Sequence, residues 1–167
     1  MCRLLLALVA LLIPVGDAAA EQVATDDRLK AAYIFNIAKF VSWNDEPRSV
    51  RLCIDTESTI GGTAKSLDGR DLGDGRSMSI LHRTENLDDC HMYFGKRLPG
   101  GGTGTRPLNP QVVSVADHMG ALRDGFVIQL FVMDGRLRFT IDGQKLTDAP
   151  FRISSKLLRL ARDPETD

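Results

Sequence analysis

The sequence predicts a single α/β domain built on a mixed sheet of about five to six short strands. Short apolar runs of strand length alternate with helical segments, which is the pattern of a layered α/β domain. Two strand-like runs flank Asp134-Gly135, a dipeptide typical of two-residue hairpin turns, so one edge of the sheet should be antiparallel. The length of 167 residues fits one hydrophobic core.

The chain begins with the pattern of a secretory signal peptide. Arg3 precedes an apolar run from Leu4 to Val15, and Ala18-Ala19-Ala20 supplies the small residues that signal peptidase recognises. The run is too short to span a membrane. We therefore expect cleavage after Ala20 and export of residues 21–167 to the periplasm, and an uncleaved signal anchor is the alternative.

The segment Leu29–Trp43 (LKAAYIFNIAKFVSW) predicts the first helix and is unusually apolar. Its apolar residues form a stripe wider than one packed face requires. Asp26 and Asp27 stand just before it and are suited to cap its start. Such a helix is either buried by two layers of its own domain, which is the commoner case, or used to dock a partner.

The other elements are predicted from strand-like runs and turn residues. The predicted strands are Val50–Asp55, Ser77–Leu81, His91–Phe94, Val112–Val115, Phe126–Val132 and Leu137–Ile141. The predicted helical segments are Thr63–Leu67 with Thr63 as its cap, Ala116–Arg123, a turn at Asp142–Thr147, and Ser155–Ala161 capped by Ser154. The stretch from Lys96 to Gln111 holds four glycines and three prolines, so it should contain no regular helix.

No group of residues has the spacing of a known catalytic or metal site. The glycine run at 100–104 lacks the lysine and the following helix of a phosphate-binding loop. Ser154-Ser155-Lys156 does not match the S-x-x-K spacing, and no G-x-S-x-G motif is present. The three histidines lack metal-ligand spacing. We therefore expect a protein that is not an enzyme and that needs no cofactor or metal.

Removal of the signal peptide leaves two cysteines, Cys53 and Cys90. An even number in an oxidising compartment favours one disulfide, and two free thiols in the core are the alternative. A bridge would close a loop of about 38 residues, for which chain entropy predicts a stabilisation of about 4 kcal/mol. Cys53 comes late in its predicted strand and Cys90 just before its own, so the sheet order or register must bring their Cα atoms within about 7 Å.

Five segments together resemble the YfiR family of small exported proteins, and the resemblance covers essentially the whole mature chain. The segments are Leu29–Trp43, Arg51–Ile54 (RLCI), Cys90–Phe94 (CHMYF), the hairpin region Gly125–Ile141, and Arg152–Ala161 (RISSKLLRLA). The resemblance implies a mixed sheet flanked by helices on both faces and supports the pairing of Cys53 with Cys90. It also implies a periplasmic repressor of a membrane-bound diguanylate cyclase.

Two features depart from the family pattern. A glycine- and proline-rich segment replaces the usual crossover helix between two strands. The second disulfide of the best known member is missing, because the corresponding region holds Val127, Ile128 and Phe131.

Binding to another protein is the expected function. Trp43 and the segment Phe151-Arg152-Ile153 combine aromatic residues with arginine, a composition typical of interface hot spots. If they share one exposed patch, they form the predicted partner-binding site; alternatively, Trp43 belongs to the core.

The expected partner is the periplasmic domain of a membrane diguanylate cyclase or of a sensor histidine kinase. The wide apolar helix also favours a homodimer, and the net charge of −1 gives no reason to expect nucleic acid. Direct membrane insertion is not expected after cleavage. The rival hypothesis is a periplasmic small-ligand-binding or accessory domain of a sensor system, with a pocket lined by Arg106 and the glycine loop.

Overall fold

The structure is a computed structural model that describes residues 17–82, 86–99 and 109–162. Its α-helices are α1 (Asp17–Ala38), α2 (Gly61–Ala64) and α3 (Ser155–Leu158), and short 3-10 helices cover Lys65–Leu67 and Gln144–Leu146. Its strands are β1 (Val41–Trp43), β2 (Ser49–Ile54), β3 (Ser77–His82), β4 (Met92–Phe94), β5 (Val113–Ala116), β6 (Ile128–Met133), β7 (Arg136–Ile141) and β8 (Phe151–Ile153).

Six of the strands form a mixed sheet in the order β3-β2-β4-β5-β6-β7, and β1 pairs with β8 in a separate two-stranded sheet. The first five strands of the large sheet are parallel, and β7 runs antiparallel to β6. This arrangement confirms the predicted fold class. The hairpin turn is also confirmed, since Asp134 and Gly135 both have positive φ angles (50° and 67°), as a type I′ turn requires.

Side chains of β2, β4 and β5 point alternately into two separate hydrophobic clusters on the two faces of the sheet. The first face, formed by residues such as Leu52, Met92, Val115 and Leu130, is covered by all three α-helices. The second face holds Cys53, Tyr93 and Ala116 and is covered by Leu87, Cys90, Ala121 and Phe126. Within the described residues this second cover consists of turns, so helices lie on one face and not on both as the family resemblance implied. Residues 100–108, where the crossover helix was expected to be missing, lie outside the described ranges.

The first helix differs from the prediction at both ends. It begins at Asp17, so Asp26 and Asp27 lie inside it and do not cap its start. The carboxylate of Asp27 is buried and accepts a hydrogen bond from the Thr59 hydroxyl at 3.0 Å. The helix ends at Ala38 rather than Trp43, because Val41 and Trp43 alternate with an exposed residue and pair with β8. The predicted cleavage point after Ala20 falls within α1 and stays a prediction.

Three further helix predictions need correction. In place of the helix predicted over residues 116–123, Ala116 ends β5 and residues 118–123 form a bend and turns, since Gly120 has a φ of 87°, which interrupts a right-handed helix. Thr63 lies inside α2 and is not its cap; the residue at the cap position, Ile60, makes no side-chain capping bond. The last helix stops at Leu158 instead of Ala161, although its predicted cap is confirmed by the Ser154 side chain, which accepts the Lys156 N–H.

The six predicted strands of the large sheet are present, and their ends differ from the prediction by at most two residues.

No helix in the described part of the chain combines the length and hydropathy of a membrane span.

Cys53 and Cys90 form a disulfide with their Cα atoms 5.8 Å apart. The parallel neighbours β2 and β4 align Cys53 with Tyr93, so the strands alone would leave Cys90 out of reach. A turn closed by the Cys90 N–H and the Leu87 carbonyl folds Cys90 over the second face, towards which Cys53 points. The bridge therefore joins a central strand to the turn that covers it.

Both outer strands of the large sheet make hydrogen bonds on their outer sides. Along β3, the Met78 carbonyl accepts the Gly69 N–H, the Met78 N–H is donated to the Arg70 carbonyl, and the Ile80 N–H is donated to the Asp68 carboxylate. Along β7, the Leu137 carbonyl accepts the Tyr33 hydroxyl at 2.7 Å. The Phe139 carbonyl accepts the Arg162 N–H at 2.9 Å.

We expect the disulfide to contribute a large share of stability. Replacement of both cysteines by alanine (C53A/C90A) should lower the free energy of unfolding by about 2–5 kcal/mol, because the unfolded chain loses its cross-link. Urea denaturation with and without a reducing agent measures this. The reductant should destabilise the wild type and leave the double variant unchanged; a wild type insensitive to reductant would contradict the expectation.

We also expect Gly95, which follows β4, to tolerate no larger residue. A Cβ atom at this position would lie 2.5 Å from Cζ of the buried Tyr93 ring. Gly95→Ala should therefore lower the free energy of unfolding by about 1–3 kcal/mol through overpacking. Gly62→Ala is the matched control, since a Cβ there meets nothing within 4 Å and lies in a helix. Equal urea midpoints for the two variants would refute this explanation.

Candidate functional site

The structure brings the four predicted partner-binding residues together but exposes only part of the group. In the β1–β8 ladder Trp43 pairs with Phe151, and the following pairs include Arg152 and Ile153. Trp43 and Phe151 are each only 3 % exposed. Arg152 is exposed and Ile153 is half-buried. Arg152 is therefore accessible to a partner and Ile153 partly so, whereas the two aromatic rings belong to the core.

Trp43 has the environment of a core residue. Its indole N–H donates to the Gln111 carbonyl at 3.1 Å, which satisfies its polar atom. Its ring meets the His91 ring edge to face at 5.6 Å, and the Arg76 guanidinium lies 5.9 Å from the indole. The alternative stated for Trp43, membership of the core, matches this arrangement.

An apolar groove opens next to the β1–β8 ladder, between α1, α3 and the outer strand β7. We call it the α1/α3 groove; it encloses about 350 Å³ and is lined by Tyr33, Asn36, Ile37, Phe40, Arg138, Phe139, Leu157 and Leu160. The groove adjoins the ladder, because the Ser154 N–H, next to β8, donates to the carbonyl of the lining residue Phe40. Leu160, which lines the groove, is 55 % exposed, so the groove presents apolar surface to solvent.

Two cations border this groove. Arg138 lines it, and the ammonium of the exposed Lys156 lies 5.6 Å from the ring of the lining residue Phe40; we call these two residues the basic rim. Among the described residues, no ion pair joins the basic rim to a carboxylate. An apolar groove with unpaired cations at its border suits an amphipathic, acidic protein segment.

The buried titratable groups of the sheet have structural partners. The Tyr93 hydroxyl donates to the Arg97 carbonyl at 2.8 Å and lies 3.5 Å from the Asp55 carboxylate. Burial, together with the charge of Asp55, raises the pKa of Tyr93 far above its usual value, so the hydroxyl stays protonated. In the described ranges no three His, Cys, Asp or Glu side chains converge as metal ligands.

His91 is a buried histidine held in its neutral form beneath Trp43. Its Nδ1 accepts the Arg51 backbone N–H at 3.0 Å, and its Nε2 lies 3.5 Å from the Asp45 carboxylate. Burial is the main cause that lowers the pKa of His91; the charge of Arg51 adds to it, and Asp45 opposes it. Sequence reasoning did not single out this residue, since a histidine at the start of a strand carries no signal of burial.

We expect His91 to make stability depend on pH. Because its pKa is lowered in the folded state, its neutral form contributes fully above the ordinary value of 6.5. As pH falls below that value the unfolded chain takes up a proton first, so the free energy of unfolding decreases by up to about 1.4 kcal/mol per pH unit. Urea midpoints at about pH 7.5 and 5.5 test this.

His91→Asn, whose side-chain oxygen can accept the Arg51 N–H, should remove most of this decrease. His82→Asn, at an exposed position, should retain it. An unchanged pH dependence in the His91 variant would exclude His91 as its source.

Comparison with protein families gives one match. The YfiR/HmsC-like family matches residues 27–162, from the second half of α1 to the end of the described chain. Comparison with curated proteins found no relative of this chain. The match includes the β1–β8 ladder, the disulfide and every wall of the α1/α3 groove. On this evidence the chain belongs to the YfiR/HmsC-like family.

Proposed function

We propose that this chain is a periplasmic binding protein that negatively regulates an inner-membrane signalling protein, a diguanylate cyclase. Family membership supports a regulatory role, and the signal-peptide pattern supports export. The observation that carries the proposal is the α1/α3 groove, which presents the exposed Leu160 and the unpaired cations of the basic rim.

The occupant that fits this groove is an amphipathic acidic segment of the partner's periplasmic domain. Its apolar face would lie against Tyr33, Phe40 and Leu160, and its carboxylates would approach the basic rim. Protein interfaces commonly have aromatic and aliphatic side chains at the centre and charged side chains at the border. Charges at the border would raise the association rate, whereas burial of the leucines would stabilise the complex.

Repression requires that the protein bind the inactive state of the cyclase more tightly than the active state, because a ligand shifts an equilibrium only by its difference in affinity. Repression of a cyclase lowers cyclic-di-GMP, so deletion of this protein should raise it and favour biofilm over motility. The disulfide holds the turn over the second face, so its reduction is one candidate signal for release of the cyclase. Competition by another envelope protein is a second candidate signal. A sensor histidine kinase is the alternative partner.

The first experiment is retention of envelope proteins on the immobilised oxidised and reduced protein, identified by mass spectrometry. Retention of a diguanylate cyclase, together with raised cyclic-di-GMP in a deletion strain, supports the proposal. Retention of a sensor kinase with unchanged cyclic-di-GMP would replace the cyclase by the alternative partner. If deletion changes neither cyclic-di-GMP nor kinase output, the regulatory proposal is wrong.

A single charge in the groove should separate binding from folding. Leu160 is 55 % exposed, so Leu160→Asp should fold normally. The carboxylate would remove an apolar contact and repel an acidic occupant, so we expect affinity for the partner to fall by about tenfold or more. Val132→Asp is the control, because Val132 is 69 % exposed but does not line the groove. Equal retention by both variants would place the interface elsewhere.

A further inference from the structure

A second cavity lies on the second face of the sheet, which α1 and α3 do not cover. It encloses about 510 Å³ between the turn at residues 119–123 and the strands β6 and β7. Ligand-binding cavities commonly have volumes of about 300–1,000 Å³, so this one can hold a small molecule. Arg106 and the glycine loop, which the rival hypothesis made the binding pocket, lie outside the described residues, and this cavity does not depend on them.

The floor of the cavity is polar, although it lies within the sheet. Gln129 of β6 and Thr140 of β7 are partners in the ladder and are only 3 % and 8 % exposed. The Gln129 amide nitrogen makes a single weak contact, to the Met119 sulfur at 3.7 Å. No hydrogen bond among the described residues uses the Gln129 side-chain oxygen or the Thr140 hydroxyl.

These polar atoms are accessible from the open cavity, since among the described residues the buried side-chain nitrogen or oxygen without a partner is His118 Nδ1. Gln129 interrupts an otherwise apolar strand, Ile128 to Val132, and places a polar amide where its neighbours are hydrophobic. A ligand in the cavity would find in Gln129 and Thr140 hydrogen-bonding groups that the protein itself does not use.

The wall of the cavity carries an unpaired positive charge. Arg123 is exposed, and no carboxylate lies within ion-pair distance of it in the part of the chain that the structure describes. The Asp142 carboxylate, which also lines the cavity, pairs with the Lys145 ammonium at 2.7 Å, and the Asp124 carboxylate lies 2.9 Å from His118 Nε2. Arg123 is therefore the unpaired charge of the cavity lining, and a planar guanidinium is well matched to a carboxylate.

We propose that this cavity binds a small organic acid. Its carboxylate is held by Arg123, a hydrogen-bonding group faces Gln129 and Thr140, and an apolar body lies against Met119 and Leu122. Met119, which is 72 % exposed, is the flexible side chain that covers the bound molecule. This site is separate from the α1/α3 groove, so a test of ligand binding in the cavity leaves the proposal of partner binding in the groove unaffected.

The test is an NMR titration of the purified, nitrogen-15-labelled protein with N-acetyl-leucine, which carries a carboxylate, an amide and an apolar side chain. We expect saturable shifts in the Gln129 side-chain amide and in residues 119–123. Neutral N-acetyl-leucinamide should bind about tenfold more weakly, since a charged hydrogen bond is lost. Failure of N-acetyl-leucine to produce saturable shifts up to its solubility limit, or equal affinity for the two compounds, would overturn the proposal.

Two variants test the assigned residues. Arg123→Gln should weaken the binding of N-acetyl-leucine by about tenfold. Arg159→Gln, at an exposed position outside the cavity, should leave the binding unchanged. Gln129→Leu should abolish the saturable shifts and leave the urea midpoint equal or higher, because it removes an amide that makes only one weak contact to the protein. If Gln129→Leu binds as the wild type does, or if it destabilises the fold, Gln129 is a structural residue and the assignment is wrong.

Discussion

Burial of both faces of the central strands β2 and β4 is the constraint on which the other features depend. Every residue of β4 is buried, and its side chains point alternately to two separate clusters. On the first face the cover is α1, whose wide apolar stripe meets strands from both ends of the sheet. On the second face the cover is a set of turns, and the Cys53–Cys90 bridge attaches one of them covalently. A long helix and a disulfide thus perform the same task on opposite faces.

Local chemistry made the strands, the hairpin and the Ser154 cap predictable. Asp134-Gly135 specifies its turn through the conformations of two adjacent residues, and a serine before a short helix caps it through its own side chain. The end of α1 was missed because Phe40 to Trp43 continues a helical apolar pattern, whereas its conformation is decided by pairing with β8 at the far end of the chain. Contacts between distant segments leave no local signal in one sequence.

The sequence predicted which segments form the candidate site, but not which of their side chains are exposed. Composition identified the regions around Trp43 and Phe151, and these do meet. Their aromatic rings are buried, however, and the open surface belongs to Leu160, Arg138 and Lys156, which the sequence alone shows only as ordinary residues of a short helix and a strand. For the second cavity one signal was available: a glutamine inside the apolar run of β6. No pattern in the sequence pointed to Arg123, because only the fold places this residue beside β6.

The hydrogen bonds along the outer sides of β3 and β7 limit how this protein can assemble. A partner, or a second copy, that tried to add a strand to the sheet would first have to displace the Asp68–Arg70 segment on one side or Tyr33 and Arg162 on the other. Strand addition is a common route both to peptide recognition and to amyloid-like association. With these positions occupied, recognition at the edges of the large sheet relies on side chains, and these edges are protected from templating aggregation.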